Sequence, residues 1–135
     1  MAFQGLRAWG QTPRRDQALA TFHAIEADDA GFPFTATPGS SDPDSTALVI
    51  QALLALGANP SLPAWHKTGG SPYTALASFQ LNCGDAAGDR GAYFYPGSRT
   101  PSVFATVQAV PAAERKVLPV AATTDLGRKQ AYPCP

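Results

Sequence analysis

Apolar residues along the chain follow the spacing of two different kinds of helix. The stretch 13–27 carries them on one side only, as a stripe formed by Ala18, Leu19, Phe22 and Ile25. The stretch 43–56, by contrast, is apolar on almost every side. A one-sided stripe is typical of a helix with one solvated face, whereas a helix that is apolar all round must be covered. The pattern therefore predicts an outer helix followed by an inner helix.

Proline positions predict where four helices begin. Ser, Thr or Asp followed by Pro is favourable at a helix start, because the first side chain caps the helix and Pro suits the first turn. Four such pairs stand at intervals of 29 or 30 residues, namely Thr12-Pro13, Asp42-Pro43, Ser71-Pro72 and Thr100-Pro101. We therefore expect helices over 13–27, 43–56, 72–81 and 101–110, with Gly57 ending the second. Intervals of this length are typical of repeat proteins.

A longer period of 57 residues joins the helices into pairs. Phe22 recurs as Phe79, and Gln51-Ala52 recurs as Gln108-Ala109. These recurrences predict an all-α fold in which two helical hairpins follow one another. The expected order is an N-terminal extension, a first hairpin, a connecting loop, a second hairpin and an extended tail, at 1–12, 13–57, 58–71, 72–120 and 121–135.

The order of four segments resembles the prenyltransferase/squalene-oxidase repeat superfamily, whose terpenoid cyclase-like members form α/α toroids. The segments are A-D-D-A-G-F at 27–32, D-P-D-S-T-A-L-V-I-Q-A-L-L-A-L-G at 42–57, P-A-W-H-K-T-G-G-S-P at 63–72 and F-A-T-V-Q-A-V-P at 104–111. More narrowly, the chain is similar to secreted bacterial proteins that carry these repeats. The resemblance implies a segment of a toroid, about two hairpins long, because a closed ring needs more hairpins than this chain supplies. Since enzymes and binding proteins share this fold, it does not fix the function.

Charge and length exclude several kinds of partner. The 135 residues carry 10 Lys and Arg against 10 Asp and Glu, so the formal net charge is +0. Nucleic-acid-binding domains usually have a basic face, whereas the cations here are scattered along the chain. The longest apolar run, at 47–56, is too short to cross a bilayer. We therefore expect no nucleic-acid partner and no transmembrane segment.

The sequence Asp42-Pro43-Asp44-Ser45-Thr46-Ala47 is the sharpest candidate for catalysis. It is similar to the D-x-D-D-T-A motif of class II terpene cyclases, in which the middle Asp protonates an alkene or an epoxide. The resemblance implies that Asp44 is the general acid and Asp42 its partner, although Ser45 replaces the last Asp of the motif. Helix capping explains the same residues without catalysis, since an N-cap Asp and a first-turn Asp both stabilise a helix start. We expect capping.

Aromatic residues gather in the predicted loops, where two interpretations stay open. As a binding site, they line a pocket for an apolar ligand such as an isoprenoid. As a structural feature, they pack against helix ends in each repeat, and their recurrence in register favours this role. The candidate binding residues are Trp65, Phe34, Tyr93, Phe94 and Tyr95.

The sequence predicts no metal and no cofactor. A zinc site needs Cys, His or Asp ligands that converge, and His23 and His66 are distant in sequence from each other and from both cysteines. The superfamily also contains cobalamin carriers, which makes a cobalamin-carrier-like binding domain a weaker alternative. Bound corrinoid would give such a protein visible colour.

Cys83 and Cys134 leave two alternatives open. They form a disulfide in an oxidising compartment, or they are two unrelated thiols. The first ten residues lack the apolar stretch of a signal peptide. From the possible disulfide and the resemblance to secreted proteins, we expect an extracytoplasmic or secreted location.

Together these features favour a non-catalytic extracytoplasmic module that binds a partner protein or a hydrophobic small molecule as part of a larger assembly. Two hairpins leave an apolar inner helix partly uncovered, and contiguous apolar surface usually marks an interface. We therefore expect a homo-oligomer or a larger protein complex. The alternative is a terpene cyclase-like or prenyltransferase-like enzyme fragment that uses Asp44 as general acid.

Overall fold

The computed structural model describes residues 15–35, 39–119 and 133–134. Its four α-helices in these ranges are α1 Arg15–Ile25, α2 Pro43–Ala55, α3 Pro72–Ser78 and α4 Val103–Ala113. A short 3-10 helix, Pro63–Trp65, lies between α2 and α3. The described part of the chain contains no β-sheet, only isolated bridges such as the one between Gln80 and Tyr93. The predicted all-α class is therefore confirmed, whereas the toroid stays a prediction.

Two of the predicted helix starts are found at the expected residues. Asp42 caps α2, where its side chain accepts a hydrogen bond from the Ser45 N–H at 2.9 Å. Ser71 caps α3 in a capping box with Thr74, because each side chain accepts a hydrogen bond from the backbone N–H of the other. The pair Thr12-Pro13 lies outside the described residues.

Helix α4 begins and ends later than the prediction of 101–110. Its N-cap is Ser102, whose side chain accepts a hydrogen bond from the Ala105 N–H at 3.2 Å, so the pairing of Thr100 with Pro101 as cap and first residue was wrong. The start is fixed by a tertiary contact, since the Ser102 N–H also donates to the Tyr93 carbonyl at 2.8 Å. At the other end the helix continues through Pro111 to Ala113.

The ends of α2 and α3 follow different rules. After α2, Gly57 has a φ of +71°, and the Ala58 N–H donates back to the Leu53 carbonyl at 2.9 Å. This is the Schellman arrangement that the glycine predicts. Helix α3 ends at Ser78, three residues before the predicted Leu81. It stops because the segment 79–81 hydrogen-bonds instead with the loop 91–94.

Helix α1 packs on the rest of the molecule through the apolar stripe seen in the sequence. Ala18 is buried, and Leu19, Phe22 and Ile25 pack against a core cluster of Phe32, Leu53 and Trp65. A hydrogen bond also joins α1 to the end of α2, because Arg15 Nε donates to the carbonyl of Leu56 at 2.8 Å. The prediction of an outer helix with one wet face is confirmed.

Helix α2 lies at the centre and contributes to both core clusters. Its Leu53 belongs to the cluster beside α1, whereas Ala47 and Ile50 belong to a second and larger cluster. That larger cluster takes only small residues from α4, namely Ala105, Ala109 and Ala112. The prediction of a covered inner helix is therefore confirmed for α2. The expectation that two hairpins leave this helix partly uncovered was wrong, because none of residues 47–56 is exposed.

A hydrogen-bonded loop leads into α2. The Phe32 N–H donates to Thr46 Oγ1 at 3.0 Å, and the Phe32 carbonyl accepts from the Asp42 N–H at 3.0 Å. Phe32 and Thr46 are both fully buried. The threonine in the first turn thus holds the loop against the helix that follows.

The loop into α4 uses the same arrangement. The Tyr93 N–H donates to Thr106 Oγ1 at 2.9 Å, and the Tyr93 carbonyl accepts from the Ser102 N–H at 2.8 Å. In each case the threonine is the fourth residue after the helix cap. The starts of α2 and α4 are therefore built alike.

A disulfide joins Cys83 to Cys134 across a sequence separation of 51 residues. The loop that holds Cys83 is tied further by Arg99, whose guanidinium forms an ion pair with Asp85 at 2.6 Å. This pairing lowers the pKa of Asp85, mainly through the hydrogen bonds from Arg99. The predicted N-terminal extension and almost all of the predicted tail lie outside the described residues. In the described ranges, every helix falls short of the length and hydropathy needed to span a membrane.

Candidate functional site

The two aspartates of the predicted catalytic motif lie at the start of α2. Asp42 is the N-cap, and its Oδ2 is buried with no hydrogen-bond partner among the described residues. Asp44 lies in the first turn of the helix, where the Tyr95 hydroxyl donates to its Oδ2. The capping role expected for Asp42 is observed directly.

The contact with Asp44 changes the pKa of Tyr95. The hydrogen bond to Asp44, with a smaller contribution from burial, raises the pKa of Tyr95 to about 12. In this contact Asp44 accepts the hydrogen bond. The role of Asp44 in catalysis stays a prediction, and the contact observed around it is structural.

The aromatic residues predicted as one binding site lie in several places. Trp65 belongs to the cluster beside α1, whereas Tyr93 and Phe94 belong to the cluster between α2 and α4. Phe34 is 87% exposed, and Tyr95 is partly exposed next to Asp44. The structure does not bring these five residues together around one cavity. The three buried rings support the interpretation that loop aromatics pack against helix ends.

A buried carboxyl group near Trp65 was not found from the sequence. The Glu26 side chain is only 1% exposed, with its Oε2 at 3.7 Å from His23 Nδ1 and 3.9 Å from Lys67 Nζ. Burial raises the pKa of Glu26, while Lys67 and His23 oppose the rise. The His23 ring stacks on Trp65 with 3.7 Å between centroids. The only sequence signal was the spacing of His23 and Glu26, three residues apart on one helical face.

Glu26 also lines an open polar cavity of about 560 Å³. The other residues of the wall are Ala27, Asp28, Asp29, Gly39, Ser40 and Ser41. Asp29 is already engaged, because its carboxylate accepts from the Gly31 N–H at 2.9 Å and from the Ser41 hydroxyl at 2.5 Å. In the part of the chain that the structure describes, no three His, Cys, Asp or Glu side chains converge as metal ligands.

Helix α4 has the reverse of the usual distribution of apolar residues. Its small residues face the core, since Ala105, Ala109 and Ala112 are fully buried. Its large apolar residues face outward, and we call this surface the α4 outer face: Val103, Phe104, Val107 and Val110, which are 81%, 73%, 66% and 46% exposed. A surface helix normally turns its large apolar side chains toward the core.

The α4 outer face is continuous and includes a groove. The positions follow the spacing of neighbours on one side of a helix, at intervals of three and four residues. Val103, Phe104, Val107 and Gln108 line a wholly apolar depression of about 200 Å³. The apolar character of this helix is evident from the sequence, but which side faces outward is not. An exposed apolar patch of this kind usually marks a protein interface or a ligand groove.

Comparison of the chain with models of protein families, with curated proteins and with solved structures gave no match. The candidate function therefore rests on the geometry of the residues described above.

Proposed function

We propose that this chain is a non-catalytic module of the α/α-repeat type that binds a partner protein through the α4 outer face. The observation that carries the proposal is the reversed burial of α4, with alanines inside and Val103, Phe104 and Val107 exposed. Leaving large apolar side chains in water forgoes roughly 1.5–3 kcal/mol each relative to burial. A partner that covers them would recover much of this free energy.

The chemistry of the partner follows from the contact between α2 and α4. Counted from the matching threonines Thr46 and Thr106, Val107 and Val110 occupy in α4 the positions that Ala47 and Ile50 occupy in α2. In α2 those positions are fully buried in the cluster that α4 completes. The α4 outer face thus corresponds to the surface of α2 that receives the next helix. We infer that the partner is another helical hairpin of the same design.

If the partner is another hairpin, the chain is one segment of a larger helical-repeat assembly. In such assemblies each unit buries its apolar surface against its neighbour, and an end without a polar capping repeat leaves an apolar face uncovered. The resemblance to the prenyltransferase/squalene-oxidase repeat superfamily, proposed from the sequence, leads to the same kind of architecture. The disulfide between Cys83 and Cys134 supports an oxidising and therefore extracytoplasmic location.

The proposal is tested by the association of the purified chain with itself. Without its natural partner, we expect the α4 outer face to be covered by a second copy, giving dimers that increase with concentration in sedimentation velocity. The double substitution Phe104→Ser with Val107→Ser should leave a monomer. Its unfolding midpoint should change little, because both side chains are exposed.

Phe34→Ser is the matched control, since Phe34 is an even more exposed phenylalanine outside the α4 outer face. It should associate like the parent. A parent chain that stays monomeric at all concentrations would count against the proposal. The same holds if Phe34→Ser dissociates the dimer as effectively as the double substitution.

A further inference from the structure

A small cavity lies where the end of α4 meets α3, away from the α4 outer face. Its volume is about 250 Å³. The wall combines apolar and polar side chains, namely Tyr73, Leu76, Ala77, Gln80, Tyr93, Ala113 and Arg115. Pockets for drug-sized ligands are larger, at roughly 300–1,000 Å³. The cavity therefore suits a small molecule only.

The backbone of Arg115 is in an unusual conformation for its residue type. Its φ is +56°, in the left-handed region that favours glycine. Arg115 ends α4 in a Schellman arrangement. The Arg115 N–H donates to the Ala112 carbonyl at 3.0 Å, and the Lys116 N–H donates to the Pro111 carbonyl at 2.8 Å. Gly57 ends α2 in the same way. A glycine would adopt this positive φ without strain, so the backbone conformation does not account for an arginine at this position.

The side chain of Arg115 is held over the cavity but is not neutralised there. Its guanidinium lies 4.8 Å from the centre of the Tyr73 ring. It forms no ion pair or hydrogen bond with any residue in the described ranges. Stacking on an aromatic ring orients the planar guanidinium while leaving its N–H groups available.

Tyr73, which lines the same cavity, carries a second donor. The Tyr73 hydroxyl is buried and has no hydrogen-bond partner among the described residues. Buried polar groups are almost always paired in folded proteins, so an unpaired hydroxyl beside a cavity points to a missing acceptor. Burial raises the pKa of Tyr73, which keeps the hydroxyl protonated and able to donate at neutral pH.

We propose that this cavity binds a small monocarboxylate with a short apolar chain. The two oxygens of the carboxylate accept hydrogen bonds from two N–H groups of the Arg115 guanidinium. The Tyr73 hydroxyl donates to one of the same oxygens. The apolar chain lies on Leu76, Ala77 and Ala113. A single cation beside a neutral donor fits a single negative charge better than the two charges of a phosphate monoester. The flanking residues Glu114 and Lys116 are both exposed and of opposite charge.

The test is a titration of the full chain with butyrate, in which the backbone amide chemical shifts are monitored by nuclear magnetic resonance. We expect saturable shifts in residues 73–80 and 112–116. Butyramide has nearly the same shape without the charge, and it should give no saturable shift. Arg115→Gly should fold, because glycine suits the backbone at this position, and should weaken butyrate binding by roughly tenfold or more.

Two further variants separate the binding role of these residues from a structural one. Tyr73→Phe should weaken binding several-fold without loss of stability, because it removes a buried hydroxyl that has no partner. Lys116→Ala removes a neighbouring cation that does not line the cavity, and it should bind butyrate like the parent. The proposal is overturned if butyrate gives no saturable shift, if butyramide binds equally well, or if Arg115→Gly binds like the parent.

Discussion

At the scale of single residues, two side-chain contacts hold the start of α2. Asp42 accepts the Ser45 N–H, and Asp44 accepts the Tyr95 hydroxyl. Both contacts use the aspartates as acceptors, and both stabilise the helix start on which the second core cluster depends. The capping role was predictable from the sequence because it is local. The contact with Tyr95 was not, because 51 residues separate the two partners.

The raised pKa of Tyr95 gives a direct test of this contact. Asp44→Asn should return the pKa of Tyr95 from about 12 toward its ordinary value of 10, because the negative charge of the group that accepts this hydrogen bond is lost. Selective ¹³C labelling of the tyrosine ring carbon that bears the hydroxyl would follow the titration, with Tyr95→Phe to assign the signal. Asp16→Asn, an exposed change on α1, is the control and should leave Tyr95 unchanged.

The same shift has a consequence for stability at high pH. The folded state holds the phenolic proton of Tyr95 more tightly than the unfolded chain, whose tyrosines titrate near 10. This contribution is therefore complete below pH 10 and is lost as the pH rises from about 10 through about 12. A Tyr95 that still titrates near 12 in Asp44→Asn would contradict the contact as its cause.

At the scale of helices, the apolar patterns of α1 and α2 predicted their environments, whereas the end of α3 and the start of α4 depend on tertiary contacts. The one-sided stripe of α1 and the apolar length of α2 predicted their environments, because each pattern is typical of only one degree of burial. Helix α4 is apolar on both sides, so its pattern does not say which side is covered. In the structure, α4 contributes only alanines to the core cluster that it shares with α2, and its larger side chains lie on the exposed side. Its start was missed for a similar reason, because the Ser102 N–H donates a hydrogen bond to the Tyr93 carbonyl in the preceding loop and this contact selects Ser102 as the cap.

The matching threonines give a prediction for the helix starts. Thr46→Val and Thr106→Val keep the shape of the side chain but leave the N–H groups of Phe32 and Tyr93 without their acceptor. Each change should lower the free energy of unfolding by about 1–3 kcal/mol, with the larger loss at the fully buried Thr46. Urea denaturation followed by circular dichroism measures the difference.

Thr21→Val serves as the control for these substitutions. Thr21 lies on the exposed side of α1, and its hydroxyl donates only to the Gln17 carbonyl one turn earlier. This change should alter the stability by about 0.5 kcal/mol or less. If Thr46→Val and Thr106→Val are no more damaging than Thr21→Val, the two helix starts do not depend on this arrangement.

At the scale of the whole molecule, α2 joins two core clusters and α4 leaves one apolar surface open. Among the described residues, the exposed side of α1 carries polar residues and alanines, whereas the exposed side of α4 carries large apolar residues. The proposed interface therefore lies on the side of α4. The sequence did not predict this, because α2 and α4 are both apolar and only their packing distinguishes a covered face from an open one.

The disulfide joins two residues that are 51 positions apart in the sequence. Its removal should lower the stability of the whole fold. Closing a segment of 51 residues reduces the freedom of the unfolded chain, which stabilises the folded state by about 4 kcal/mol on the chain-entropy estimate. Cys83→Ser combined with Cys134→Ser should therefore lower the urea midpoint markedly, and a reductant should do the same to the parent. The intact mass of the parent should rise by two hydrogen atoms on reduction.

The double serine variant is also its own control, since a reductant should not change its midpoint further. Because Cys83 is exposed and its partner lies far along the chain, the loss should come from the greater freedom of the unfolded chain rather than from a disturbed core. Core signals in near-ultraviolet circular dichroism should then stay native at low urea. Equal midpoints for the oxidised parent and the double variant would show instead that the four helices hold the fold without this bond.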